Sequence, residues 1–310
     1  MKLQAELLIL FRQSSQANLL RSFFNQSQSK FLRIEGLCGS AKALFPAACF
    51  PFFTQPQVFI LPDKESAAFF YGDMEQLLEE EDMSFSERKT VFFPALSDCK
   101  NSKKSSFDVL LRTKAVQRIY EGSVMLLITY PEAVSEKIVE RKSIENETVT
   151  ISKDEKLTQD FLIEFLSENN FEYSDFVFQP GQYSIRGGII DVFSYANDFP
   201  YRIEFTTDSI ASLRTFDPET QLSKSILSNI VITPDLRAKE TVFSRISFFE
   251  PLPDNSVLWL DDTLACLETI KHLFKNNTVA QRIDESEFKH SLSHFRIIEF
   301  GVGNGQSYLS

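Results

Sequence analysis

Apolar residues at Leu7, Leu8, Phe11, Leu19, Leu20, Phe23 and Phe24 recur at helical spacing and predict one helix over residues 1–30. Phe31–Ile34 then predicts a short strand that meets the glycine step Gly36–Gly39, followed by a helix through Ala41, Ala43, Leu44 and Ala47. The same alternation continues along the chain. Gln57–Leu61 is a strand and Lys64–Glu80 a helix; Val91–Phe93 is a strand and Phe107–Tyr120 a helix; Ser123–Thr129 is a strand and Pro131–Val139 a helix. The strands are short continuous apolar runs, as a parallel sheet covered on both faces requires. Strands separated by helices at this spacing predict an α/β layer with a mostly parallel sheet.

The pattern changes after residue 139. Ile144–Ser152 is polar and strand-like, and Lys156–Glu168 is amphipathic, with Leu157, Phe161, Leu162, Phe165 and Leu166 on one side. Close-set strands follow at Tyr183–Phe193, Pro200–Phe205, Ser209–Phe216 and Ser228–Ile232. They predict an inserted α+β domain with an antiparallel sheet. From Pro234 a third region holds the strand Val257–Leu260, the helix Thr263–Phe274 and a last strand, Phe295–Phe300. The boundaries expected are 1–138, 139–232 and 233–310.

Composition narrows the function classes. Hydrophobic residues make up 43% of the 310 positions and charged residues 24%, an ordinary globular balance. The formal net charge of −11 argues against a chain whose main task is gripping DNA phosphates. The basic runs Lys100–Lys104 and Lys137–Lys142 read as solvated faces. Cys38, Cys49, Cys99 and Cys266 have neither metal-ligand spacing nor a disulfide framework. His290 and His294 stand four apart, yet no zincin glutamate accompanies them, and His272 is isolated. No metal and no cofactor is expected. No apolar run approaches the roughly 20 residues of a membrane helix, so a reducing cytoplasm is expected, with no membrane partner.

Two segments bear on nucleotide chemistry. Gly36, Gly39 and Lys42 lie between a strand and a helix, where a phosphate loop belongs. Gly36 and Lys42 have the matching spacing, but Ala41 replaces the second glycine and Ala43 the metal-binding hydroxyl. An alanine methyl crowds a turn that glycine would leave open. The segment therefore reads as a degenerate loop that turns a strand into a helix. Ser256–Asp262 ends an apolar strand in Asp261-Asp262, which fits either a remnant of a catalytic Asp-Glu strand or an ordinary strand end with a helix cap.

The segment Gln179–Thr220 orders its features in a distinctive way: Arg186 before Gly187-Gly188, an apolar strand into Phe193, the strand Tyr201–Phe205, and Phe216-Asp217-Pro218. This order resembles the second domain shared by the bacterial UvrB and transcription-repair coupling factor (Mfd) families. Val58–Ala67, Val91–Leu96 and Val124–Val134 extend the resemblance to the first domain of the coupling factors. UvrB would carry an intact phosphate loop and a long aromatic hairpin; the stretch Cys99–Lys114 is short and polar, with Phe107 its one aromatic residue. The resemblance is thus to the N-terminal, UvrB-like region of the coupling factors, and this chain is expected to be such a fragment.

That resemblance implies a degenerate helicase-like, P-loop NTPase-like fold for the first domain. It implies a non-catalytic module that recruits UvrA to lesions where RNA polymerase has stalled. RNA polymerase and double-stranded DNA would be bound by other domains. The implied docking residues are Arg186, Gly187, Tyr183, Phe193, Arg202 and Arg214. Arg186 beside two glycines suits projection from a bulged strand. Arg202 and Arg214 would extend a basic face, while Phe193 suits a core role as well as a contact. Some relatives carry a further arginine near Glu172-Tyr173, and none stands here. The alternatives are an active ATP-binding protein of the UvrB or helicase type, supported by Lys42, and a direct DNA-binding module.

Overall fold

The computed structural model describes residues 2–26, 29–96, 104–207, 209–236, 243–276 and 282–301. It is a mixed α/β fold with parallel and antiparallel sheets, and it divides into two compact units. One comprises Met1–Ala95, Arg118–Ile138 and Ser247–Ser310; the other comprises Leu96–Gln117 and Val139–Ile246.

The first unit is built on a six-stranded sheet in the spatial order Phe31–Arg33, Arg296–Glu299, Val257–Leu260, Gln57–Ile60, Leu126–Thr129, Thr90–Phe92. Every adjacent pair is parallel. Each residue of the three central strands is buried, because helices cover both faces. Trp259 stacks on Phe59 at 5.0 Å between ring centroids, and its indole N–H donates to Gln57 Oε1 at 2.8 Å. That bond satisfies the one polar atom the ring brings into the core.

Several elements differ from the periodicity. The N-terminal segment is two helices, Lys2–Arg12 and Ser15–Asn25, because Ser14 caps the second by accepting from the Ala17 N–H. Pro131–Ser135 is a short helix, and the chain then turns into a brief strand, Ile138–Val139. Residues Arg141–Glu147 are helical, and the strand begins only at Val149. Elements that escape the reading include the 3-10 turn Phe50–Phe52, the strands Glu172–Tyr173 and Arg245–Ile246, the helix Glu285–His294 and the strand Ser223–Leu227. The last is an exposed edge strand with no apolar face to register.

The second unit carries a six-stranded sheet in the order Ser223–Leu227, Ile210–Phe216, Tyr201–Phe205, Ile189–Val192, Gln182–Arg186, Glu172–Tyr173. All pairs are antiparallel except the last. The helix Gln159–Glu168 covers one face, capped by Thr158, whose hydroxyl accepts from the Phe161 N–H. Leu162 and Leu166 pack from it against Tyr183, Ile190, Val192, Tyr201, Ile203 and Leu213. Phe161 points away and is exposed, so the buried stripe of this helix is narrower than its sequence suggests. Among the described residues no other helix contributes to that core.

Candidate docking site

The antiparallel sheet has period two, so its second face is fixed once the first is buried. In register across the sheet lie Ser184, Asp191, Arg202, Arg214 and Ile226. The next row holds Arg186, Ile189, Glu204 and Ser212. These rows form the face turned away from the helix, and charged residues dominate it.

Arg186 and Ile189 close a two-residue hairpin through Gly187-Gly188. The expected bulge is therefore a tight turn, and the run Tyr183–Phe193 is two strands rather than one. Gly187 takes the turn's left-handed position at φ 58°, which glycine adopts without strain. Its carbonyl accepts from Gln159 Nε2 at 3.0 Å. Arg186 is thereby held at the end of a rigid ribbon.

Asp191 is the centre of the face. Its side chain is fully buried, and a buried carboxylate must be paired. Arg202 grips it from Nε and one terminal nitrogen, both at 2.8 Å, in the fork geometry that suits a carboxylate. Arg186 adds a third bond from its own terminal nitrogen to Asp191 Oδ2. Asp191 holds the Arg202 pKa above its ordinary value through this bonding. Two guanidiniums thus share one carboxylate, and the cluster keeps a surplus positive charge. Arg202 is mostly covered, with 17% of its side chain exposed, whereas Arg186 keeps 42% in solvent. Arg214 is neutralised separately by Glu204 Oε2 at 2.6 Å, so it adds little to a basic face.

A loop lies against this side of the sheet. Val177 is fully buried and packs with Phe193 and Phe216 in a small second core. The Arg202 guanidinium sits 4.3 Å over the Phe216 ring. Gln182 Oε1 accepts from the N–H groups of Phe178 and Gln179 at 3.0 and 3.2 Å and fixes the loop backbone. Phe193 is therefore a core residue beneath the loop. Tyr183, one position out of phase with Ser184, faces the helix-covered core and lies in edge contact with Tyr173. Arg186, Gly187 and Arg202 come together on the open side; Tyr183 does not join them. Sequence reading missed Asp191, Val177, Phe176 and Phe178. The signal for Asp191 was present: a lone acid in the apolar run Ile189–Val192, with arginines on both neighbouring strands.

The loop at residues 36–42 has its own partner. Gly36 and Gly39 adopt φ of 86° and 53°, and Lys42 donates to both oxygens of Asp261 at 2.8 and 2.6 Å. Asp262 accepts from the Ala265 N–H at 3.0 Å, which makes it a helix cap. Among the described residues no group of three or more His, Cys, Asp or Glu could hold a metal ion. The His290 and His294 rings lie 4.7 Å apart between centroids, on the exposed side of the helix Glu285–His294. Cys38, Cys49 and Cys266 are free thiols; Cys99 and residues 100–103 lie outside the described residues. Lys137 and Arg141 pair with Glu287 and Glu145. No helix among the described residues is long and apolar enough to cross a membrane.

The second unit thus buries one sheet face under a helix and carries salt-bridged side chains on the other, which the loop through Val177 covers in part. Residues 149–237, which contain that sheet, match the family model of the UvrB interaction domain. The transcription-repair-coupling factor of Escherichia coli K12 is 24% identical over 198 residues, covering 64% of this chain and 17% of the relative. That of Bacillus subtilis 168 is 27% identical over 212 residues, covering 67% and 17%. UvrABC system protein B of Nitrosomonas europaea is 22% identical over 241 residues, covering 72% and 34%. The chain carries a UvrB interaction domain and is a distant homologue of the transcription-repair-coupling factors of several bacteria. The match spans about one sixth of those coupling factors' length.

Proposed function

We propose that this chain is a non-catalytic docking module, the UvrB-like region of a transcription-repair coupling factor, and that its antiparallel sheet recruits UvrA to lesions where RNA polymerase has stalled. The observation that carries this reading is the charged sheet face, half-exposed at Arg186, inside the segment that matches the UvrB interaction domain. Arg186 gives one nitrogen to Asp191, and 42% of its side chain remains exposed. A protein carboxylate arriving there meets a rigid donor and an unbalanced positive charge. The parallel-sheet unit is, in this reading, a degenerate helicase-like scaffold. Lys42, the side chain a phosphate would need, is already engaged by Asp261, which favours a structural role over nucleotide chemistry. RNA polymerase and double-stranded DNA are partners of the whole coupling factor, through segments outside this chain.

Titration of purified UvrA with the chain and with Arg186→Ala tests the reading. Wild type is expected to bind in the micromolar range or tighter. The variant is expected to bind about 30-fold or more weakly, the scale for truncating a desolvated charge contact. Equal affinities would remove Arg186 from the site, and no binding by wild type would remove UvrA as the partner.

A further inference from the structure

Phe176 and Phe178 are large apolar side chains that remain 47% and 57% exposed. Single exposed aromatics are unremarkable on a protein surface. These two differ because the loop that carries them is built to hold them outward. The intervening residue, Val177, is fully buried against Phe193 and Phe216. With Val177 anchored inward, the side chains on either side of it are left on the outside of the loop. The Gln182 side chain ties down the backbone at Phe178 and Gln179, and Gly181 closes the loop at φ 88°. The two rings lie 6.2 Å apart, and the Arg186 guanidinium sits 5.5 Å from the Phe176 centroid. An aromatic pair held rigidly beside a half-exposed guanidinium loses little conformational freedom on binding.

We infer that Phe176 and Phe178 form an aromatic platform that, with Arg186, receives a protein segment presenting a carboxylate next to a large apolar side chain. The inference rests on the docking reading above and adds to it the chemistry of the occupant. The carboxylate answers the surplus charge left where two guanidiniums share Asp191. The apolar neighbour covers the rings, and covering them excludes water from the charge contact. Buried aromatic and arginine anchors of this kind carry most of the energy of protein interfaces.

The test is titration of UvrA against wild type, Phe176→Ser with Phe178→Ser, Arg186→Ala, and Phe69→Ser as a control. Phe69 is 69% exposed on the helix Lys64–Leu77 of the other unit, so its loss removes a comparable ring from the surface. Each protein is first matched to wild type by circular dichroism and thermal unfolding, since both platform side chains point outward. The platform pair is expected to weaken binding about tenfold or more, at low and high salt alike. Arg186→Ala is expected to flatten the salt dependence, because it removes the charge. Phe69→Ser is expected to bind as wild type does. Wild-type affinity in the platform variant, with Arg186→Ala still impaired, would overturn the platform and leave the docking reading standing. Equal weakening by Phe69→Ser would overturn it as non-specific adhesion. No binding by any protein, wild type included, would overturn both.

Discussion

Asp191 shows how one side chain organises a surface. Its carboxylate accepts from Arg202 twice and from Arg186 once, at a position with no solvent access. The two arginines are not equivalent. Without Arg186, Asp191 keeps the Arg202 fork, and a half-exposed ion pair contributes less than about 1 kcal/mol. Arg186→Ala is thus a clean reporter of binding. Without Asp191, two guanidiniums face each other with no counterion. Asp191→Ala is expected to destabilise the fold by about 2–3 kcal/mol, measured by denaturant unfolding. This is less than the roughly 3–5 kcal/mol of breaking a fully buried pair, because solvent reaches Arg186. A loss below about 1 kcal/mol would show that the cluster does not hold the sheet face together.

At the scale of elements, the loop before the Gln182–Arg186 strand depends on Gly181. Its N–H donates to the Phe193 carbonyl at 2.8 Å, and its own carbonyl accepts from the Glu172 N–H at 2.7 Å. A Cβ at this position would lie 2.2 Å from the Tyr195 hydroxyl oxygen, and the φ of 88° is unfavourable for any L side chain. Tyr195 is buried and packs against Phe171, so its ring has little room to retreat. Gly181→Ala is expected to cost about 2–4 kcal/mol from combined strain and overlap. A thermal melt is the measurement. Gly187 makes the contrast: an added Cβ there meets open space, and only the backbone conformation resists it. If Gly181→Ala melts like wild type, the loop is not rigid in the way the platform requires.

At the scale of the molecule, buried ionisable groups set the alkaline limit of the fold. Burial in the second unit pushes the Tyr201 hydroxyl up to about 12. Burial also pushes the Cys49 thiol of the first unit up to about 12, and the Cys266 thiol and Tyr71 hydroxyl upward as well. The sign follows from linkage. Below the ordinary phenol value of about 10, the folded and unfolded chains both keep the Tyr201 proton, and its contribution is fully present. As pH rises from there, the unfolded chain releases the proton first, and stability falls until the folded value is passed. For Tyr201 the loss amounts to roughly 3 kcal/mol. Unfolding free energy is expected to drop between pH 10 and 12, and Tyr201→Phe is expected to flatten that drop. Identical pH profiles for variant and wild type would assign the loss to other groups.

Much of the architecture was legible because burial leaves a local trace. Gln57–Ile60, Leu126–Thr129 and Val257–Leu260 are continuous apolar runs, and their burial on both sheet faces follows from that alone. Alternation in Tyr201–Phe205 likewise separates a core face from a polar one. Gly36, Gly39 and Gly187 stand at turns and adopt positive φ, which glycine does without strain. Arg186 was legible as a candidate from its place beside two glycines. What it would touch was not, because strand register decides which side chains share a row. Register placed Asp191 between Arg186 and Arg202, and it sent Tyr183 to the opposite face. Packing turned Val177 inward and so turned Phe176 and Phe178 outward, a choice their own apolar character would not predict. Lys42 meets Asp261 across 219 positions of chain, because the parallel sheet sets the Val257–Leu260 strand between the strands that begin at Gln57 and Arg296. Local pattern determines which residues form strands, helices and turns. Only the folded topology, which sets distant segments side by side, decides which charges meet and which aromatics are left facing water.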